Sequence, residues 1–223
     1  MDRNEKTIFQ RLQSVEDELT KLGNIVFALK TTDITKYHAN YTDLSTDAAL
    51  RAERITCQLR NLVYISEASG KTDYMRQAAT AQGIRIEMEQ GILSIFLPGL
   101  LPKRKVHTNT AFLHEPLNFA LQEYLKEHNL PLFQECVICF SQIYDENLSL
   151  RRIRDYDNLE FKQILDTIST YVLRDDTGLF CDSYYTTEIG SHDHTVVYIM
   201  EKPVFPDWVK NRKKYIDTTS EIL

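Results

Sequence analysis

Between residues 151 and 176 the chain gathers its most chemically suggestive side chains. Arg151-Arg152-Ile153-Arg154 runs into Asp155-Tyr156-Asp157-Asn158, and Asp175-Asp176 follows one helical stretch later. If the backbone is extended through Asp155 and Asp157, these carboxylates are i and i+2 and point the same way. Two carboxylates on one face, with a third from elsewhere, form the oxygen cage that Mg²⁺ or Mn²⁺ prefers. Asp175 and Asp176 offer that third group if the helix predicted over 158–172 turns the chain back on itself. Such a set suits metal-assisted phosphodiester hydrolysis, and neighbouring guanidinium forks match phosphate oxygens. The same residues also have plain structural readings. Asp157 with Glu160 resembles a capping box. Asp175-Asp176-Thr177-Gly178 suits a turn before a strand, and Arg beside Asp is often a surface ion pair worth little.

The elements that must position these groups follow from periodicity and punctuation. All six prolines lie between Pro98 and Pro206, so the first 97 residues favour long helices. Ile8, Leu12, Val15, Leu19, Leu22, Val26 and Leu29 recur in alternating steps of four and three, the seam of a coiled coil or helical hairpin. After a polar break over 31–43, a second helix is expected from a cap at Ser45 or Thr46, with Ala52, Ile55, Leu59 and Leu62 as its seam. Two helices burying each other and a dimerisation or partner-docking arm are both open readings. A short helix follows over 73–82, and Gly83 suits its C-terminal cap. Ile84 to Glu89 alternates as a strand, Gln90-Gly91 marks a tight turn, and Ile92 to Leu97 is a second strand.

Beyond Leu97 the order reads loop (98–111), helix (112–129), strand (133–144), basic-acidic loop (145–157) and helix (158–172). A loop holding Asp175-Asp176, a hairpin (178–189 with 195–202) and a basic tail with helical character after Pro206 complete it. The expected class is α+β, a small mixed sheet with helices packed on one face, preceded by a helical leader. The boundary falls between a leader over 1–83 and an α+β domain over 84–223.

The chain from about Leu93 onward resembles the RusA-type Holliday junction resolvases, small endonucleases typical of phages and prophages. That family carries a basic run, Asp-x-Asp-Asn, a helix with Lys and Asp, and an Asp-Asp pair. Here these are Arg151-Arg152-Ile153-Arg154, Asp155-Tyr156-Asp157-Asn158-Leu159, Lys162 with Asp166, and Asp175-Asp176. The resemblance implies a RusA-like fold and Mg²⁺ or Mn²⁺ held by Asp155, Asp157 and Asp176 with Asp175 beside them. Lys162 would stabilise charge on the scissile phosphate. It further implies a homodimer cutting symmetric strands of branched DNA in recombination or repair. Lys162 stands five residues after Asp157 where the family usually has four, and one residue turns a helix by about 100°. The leader is a second departure. A degenerate domain serving as a scaffold, with the helices recruiting a protein partner, is the alternative function.

Other motifs carry less. In a strand, Cys136 and Cys139 point to opposite faces, so their CxxC spacing predicts core thiols rather than a metal pair. His192-Asp193-His194 falls in a predicted loop, Trp208, Tyr184 and Tyr185 could stack on bases or pack in the core, and no Gly-rich phosphate loop occurs. No apolar run is long enough to cross a membrane and no signal peptide opens the chain, so a cytoplasmic location with reduced thiols is expected. The formal net charge is −6, against the usual basic footprint of nucleic-acid binders. Residues 1–90 carry net −1 and residues 91–223 net −5. The cations of the second part are clustered, however: Lys103-Arg104-Lys105, Arg151, Arg152 and Arg154, and Lys210 with Arg212, Lys213 and Lys214. Phosphate contacts are local, so these clusters form the expected DNA footprint.

Overall fold

A computed structural model describes residues 3–66, 71–102, 111–130 and 132–212. Its α-carbon contacts separate two compact units, Met1–Tyr74 and Met75–Leu223.

The first unit holds two long helices, α1 (Arg3–Thr31) and α2 (His38–Ser66). Their antiparallel packing shows in cross-links that run in opposite senses, Glu18 to Arg51 and Ser14 to Gln58. The break between them is shorter than the sequence suggests. Asp33 accepts hydrogen bonds from the Thr35 and Lys36 amides and closes a turn. Ser45 therefore sits inside α2, its hydroxyl bonded to the Tyr41 carbonyl, and does not cap it. The expected seam splits into two columns. Val15 is buried with Ile8, Leu22 and Leu29 half-buried, whereas Leu12, Leu19 and Val26 are exposed. Four residues of helix advance about 400°, so the two columns of a 4–3 seam differ by roughly 40–60°, and a single partner helix covers only one of them.

The second unit is α+β, as expected. Met75 and Ala79 of α3 (Lys71–Ala81) are buried, and Ala79 belongs to the sheet's core cluster. Most of α3 thus belongs with the sheet, whereas the sequence places it in the leader. Strands β1 (Arg85–Glu89) and β2 (Ile92–Leu97) form the predicted hairpin. Its two-residue turn has positive φ at both Gln90 (52°) and Gly91 (81°), which matches the twist of the flanking strands. There follow α4 (Ala111–Glu127), β3 (Cys136–Asp145), α5 (Lys162–Val172), β4 (Cys181–Gly190), β5 (His194–Glu201) and α6 (Phe205–Asn211).

The sheet order is β1-β2-β5-β3-β4. This overturns the expected closing hairpin: β4 and β5 are consecutive in the chain but do not pair, because β3 lies between them. The reason is burial. Nine of the ten residues of β3 are buried, which demands a central position covered on both faces. β4 consequently runs parallel to β3 at the sheet edge, joined to it by a crossover that contains α5.

One face of the sheet carries the main core, where Leu93, Ile95, Ile138, Phe140, Val197 and Ile199 meet Leu117 and Leu121 of α4 and Ile164, Ile168 and Val172 of α5. The other face is not bare, contrary to a one-sided arrangement. There Trp208 of α6 packs 5.1 Å from the Tyr198 ring, and Phe205 packs 5.1 Å from Tyr184. The cysteines divide as the strand pattern predicts: Cys136 lies in the main core beside its register partner Cys181, and Cys139 is outside that cluster. Burial pushes the Cys139 thiol and the Tyr198 phenol up to about 12.

Candidate active site

The β3–β4 crossover supplies nearly every side chain of a cleft of about 500 Å³. Its walls include Asp157, Glu160, Lys162, Asp166 and Asp176, together with Tyr156, Phe161 and, from β4 itself, Tyr185. How the crossover is pinned explains why they converge.

At its start, the Arg152 guanidinium grips Asp193 through two bonds of 2.6 and 2.7 Å and donates to the Asp145 carbonyl. It also lies over the Tyr144 ring, whose hydroxyl accepts from the Arg154 amide. The basic run is thereby fastened to the end of β3 and to the β4–β5 turn. A 3₁₀ turn then spans Tyr156–Asn158, and the Tyr156 hydroxyl bonds Thr187 Oγ1 of β4 at 2.9 Å. The buried Leu159 and Glu160 follow, and the Glu160 amide donates to the Pro102 carbonyl. Only then does α5 begin. Its buried Ile164, Ile168 and Val172 pin one face to the sheet, leaving Lys162 and Asp166, one turn apart, on the cleft side. After α5, Asp175 accepts from the Thr177 amide at 2.8 Å and forms a turn, which sets Asp176 into the cleft wall.

Three sequence expectations are changed by this geometry. The backbone is not extended through both aspartates: Asp155 precedes the 3₁₀ turn and Asp157 lies within it. With about three residues per turn, i and i+2 diverge, so Asp157 lines the cleft and Asp155 is not among its wall residues. The helix starts at Lys162, not at 158, so Asp157 does not cap it; the residue in that place is Phe161, with no side-chain cap bond. For the same reason the extra residue before Lys162 does not rotate it away, because Leu159–Phe161 is not helical. Asp175 performs the plain turn role.

The cleft is electrostatically one-sided. Lys162 Nζ donates to both carboxylate oxygens of Asp166, at 3.0 and 2.9 Å. That bond, reinforced by the charges of Asp166, Asp176 and Glu160, holds the Lys162 ammonium above its ordinary range. Four carboxylates and one cation therefore line the cleft. They are oxygen donors of the type Mg²⁺ takes, and Mg²⁺ commonly uses one or two protein carboxylates with waters and substrate phosphate oxygens. The donor chemistry fits the ion, although no three acidic, histidine or cysteine side chains among the described residues come together as a ready ligand set.

The expected DNA-contacting cations divide sharply. Lys103, Arg104, Lys105, Lys213 and Lys214 lie outside the described residues. Arg151, Arg154 and Lys210 are exposed. Arg152 is engaged by Asp193, as above, and the Arg212 side chain is only 8% exposed beside Glu188, so both guanidiniums have internal partners and are not open phosphate contacts. Sequence reasoning raised Tyr185 as a base-stacking or core residue and did not place Phe161, Glu160 or Tyr156 in the cleft. The available signal was the aromatic interleaving of the aspartate motif with a Tyr-Tyr pair on the next strand.

Comparison with known proteins adds little chemistry. No curated protein matches the chain. A solved structure described as a MotB-like protein from Desulfovibrio vulgaris is 12% identical, with a TM-score of 0.31, covering 65% of this chain and 99% of that one. Over residues 4–223 the sequence fits a single family description, and the chain accordingly belongs to the family of unknown function DUF6100.

Proposed function

We propose that the chain is a Mg²⁺-dependent, structure-selective endodeoxyribonuclease of RusA type that resolves branched DNA, working as a homodimer in recombination or repair and encoded by a phage or other mobile element. The observation that carries this reading is the convergence of Asp157, Asp176 and Lys162 on one cleft within a single crossover. Asp157 and Asp176 would hold the metal, and Asp166 and Glu160 line the same cleft. Bound Mg²⁺ supplies Lewis-acid polarisation of a phosphate oxygen and a water of lowered pKa. Lys162 leaves Asp166 to meet a phosphate oxygen and stabilises the charge that develops there. Exposed Arg151 and Arg154 orient the incoming backbone. Pro102, which bonds Glu160, leads directly into Lys103-Arg104-Lys105.

The test is cleavage of a synthetic four-way junction by the purified chain with Mg²⁺ or Mn²⁺. Symmetric incision lost in Asp157→Asn supports the reading, and no incision with either metal overturns it. A second reading rests on the hairpin, whose apolar Phe9, Leu12, Leu19, Val26 and Phe27 are 45–69% exposed. On that reading the hairpin docks a protein partner and the sheet domain is a non-catalytic scaffold, which predicts junction binding at most and no cleavage.

A further inference from the structure

We infer that the cleft contains a base-stacking subsite, built on Tyr185, that takes an unstacked nucleobase beside the scissile phosphate; this rests on the nuclease reading above. Metal-phosphate chemistry needs carboxylates and a cation, and it makes no use of aromatic walls. Yet three of the cleft's wall residues are aromatic. Tyr185 is held by rings on several sides: Phe161 at 4.5 Å, Tyr156 at 5.6 Å and Phe140 at 6.0 Å between centroids. Tyr156 is itself fixed by its bond to Thr187. A ring held this way has lost its rotamer freedom before any ligand arrives, so stacking on it costs little ordering.

Despite those neighbours, Tyr185 remains 36% exposed on the edge strand. The surface it presents lies in the same cleft as Asp157, Lys162 and Asp176. The ligand class follows from this pairing of chemistries: a phosphate for the charged wall and a flat π-system for the aromatic one. An intact duplex offers neither face of its bases, because each is covered by its neighbours. A face becomes available at a branch point, a flap or a gap, where the stack is interrupted. The subsite thus supplies a physical source of preference for branched over continuous DNA, and one that does not depend on base identity, since every base has a π-face.

The experiment compares the affinity of the full chain, in EDTA, for four-way junctions with either natural or abasic nucleotides at the crossover, by fluorescence anisotropy. The expected result is that the wild type prefers the natural junction by roughly 5- to 100-fold. Tyr185→Leu should lose that preference, and Tyr185→Trp should keep it. Equal wild-type affinity for both junctions, with Mg²⁺-dependent cutting intact, overturns the subsite and leaves the nuclease reading standing. A Tyr185→Leu chain that weakens on both junctions by the same factor also overturns it, because the residue is then structural. A wild type that neither binds nor cuts either junction overturns both readings.

Discussion

Two regions of this chain crowd carboxylates near cations, and they do so in opposite ways. In the hairpin, Glu18 is buried and receives Arg51 at 2.9 Å, Lys21 at 3.1 Å and Arg54 at 3.4 Å. The Lys21 hydrogen bond and then that of Arg51 outweigh burial and draw its carboxyl below the ordinary 4.5. In the cleft the ratio is inverted: Asp157, Glu160, Asp166 and Asp176 are among the lining residues and Lys162 is the cation among them. A carboxylate surrounded by cations is balanced for stability. The contrast separates a carboxylate to which the fold brings several cations from carboxylates that outnumber theirs.

The most direct way to break the comparison is to neutralise the cleft. Asp157→Asn and Asp176→Asn should each reduce junction cleavage by about 100-fold or more, since metal-assisted charge stabilisation is worth several kcal/mol. Their melting temperatures should stay close to that of the wild type, because both aspartates are exposed. A drop in stability equal to that of a core variant would show that these aspartates hold the fold.

Adding the missing charge should do the reverse. At about 100 times its dissociation constant, Mg²⁺ should stabilise the wild type by about 2.7 kcal/mol, read as a rise in melting temperature. The rise should vanish in Asp157→Asn. An equal rise in both proteins would place the ion elsewhere.

Glu18→Gln sharpens the other side. Because the folded-state pKa of Glu18 is lowered, its contribution is complete above the ordinary value near 4.5 and is lost as pH falls through the lowered one. The variant should melt a few degrees lower at pH 7, and the gap should close as the pH falls from the ordinary 4.5 through the lowered value. A pH-independent gap would mean that the carboxylate acts through shape alone.

The smallest effect is expected from the exposed cations. Arg151→Ala with Arg154→Ala should lower the slope of log K against log salt for junction binding by about 2, roughly one per phosphate contact. An unchanged slope would remove both arginines from the DNA path.

These contrasts were only partly legible in the sequence. Asp157, Asp176 and Lys162 stood out because few other residue types do metal and phosphate chemistry, and their separation along the chain did not matter once a crossover brought them together. The shared direction expected for Asp155 and Asp157 was not legible, because the i, i+2 rule needs an extended backbone and the 3₁₀ turn at Tyr156–Asn158 removes that condition. The strand order was hidden for a different reason. Local alternation shows that 181–190 and 194–201 are strands, but only the two-sided burial of β3 decides that it separates them. Tyr185 became a cleft residue through that same long-range pairing, which its Tyr-Tyr pair hints at but does not place. In the hairpin, the 4–3 seam was correctly read as helical, yet its columns at Leu12, Leu19 and Val26 and at Val15 face different directions.

The position of β4 has a consequence for how the molecule fails. It is an edge strand, bonded along its length to β3 alone, and it carries both Tyr185 and the Thr187 anchor of Tyr156. Edge elements open at lower free-energy cost than central ones. Detachment of β4 would remove Tyr185 and the Thr187 anchor from the cleft and leave the pairings among β1, β2, β5 and β3 in place. Amide exchange along β4 is therefore expected to report the integrity of the cleft.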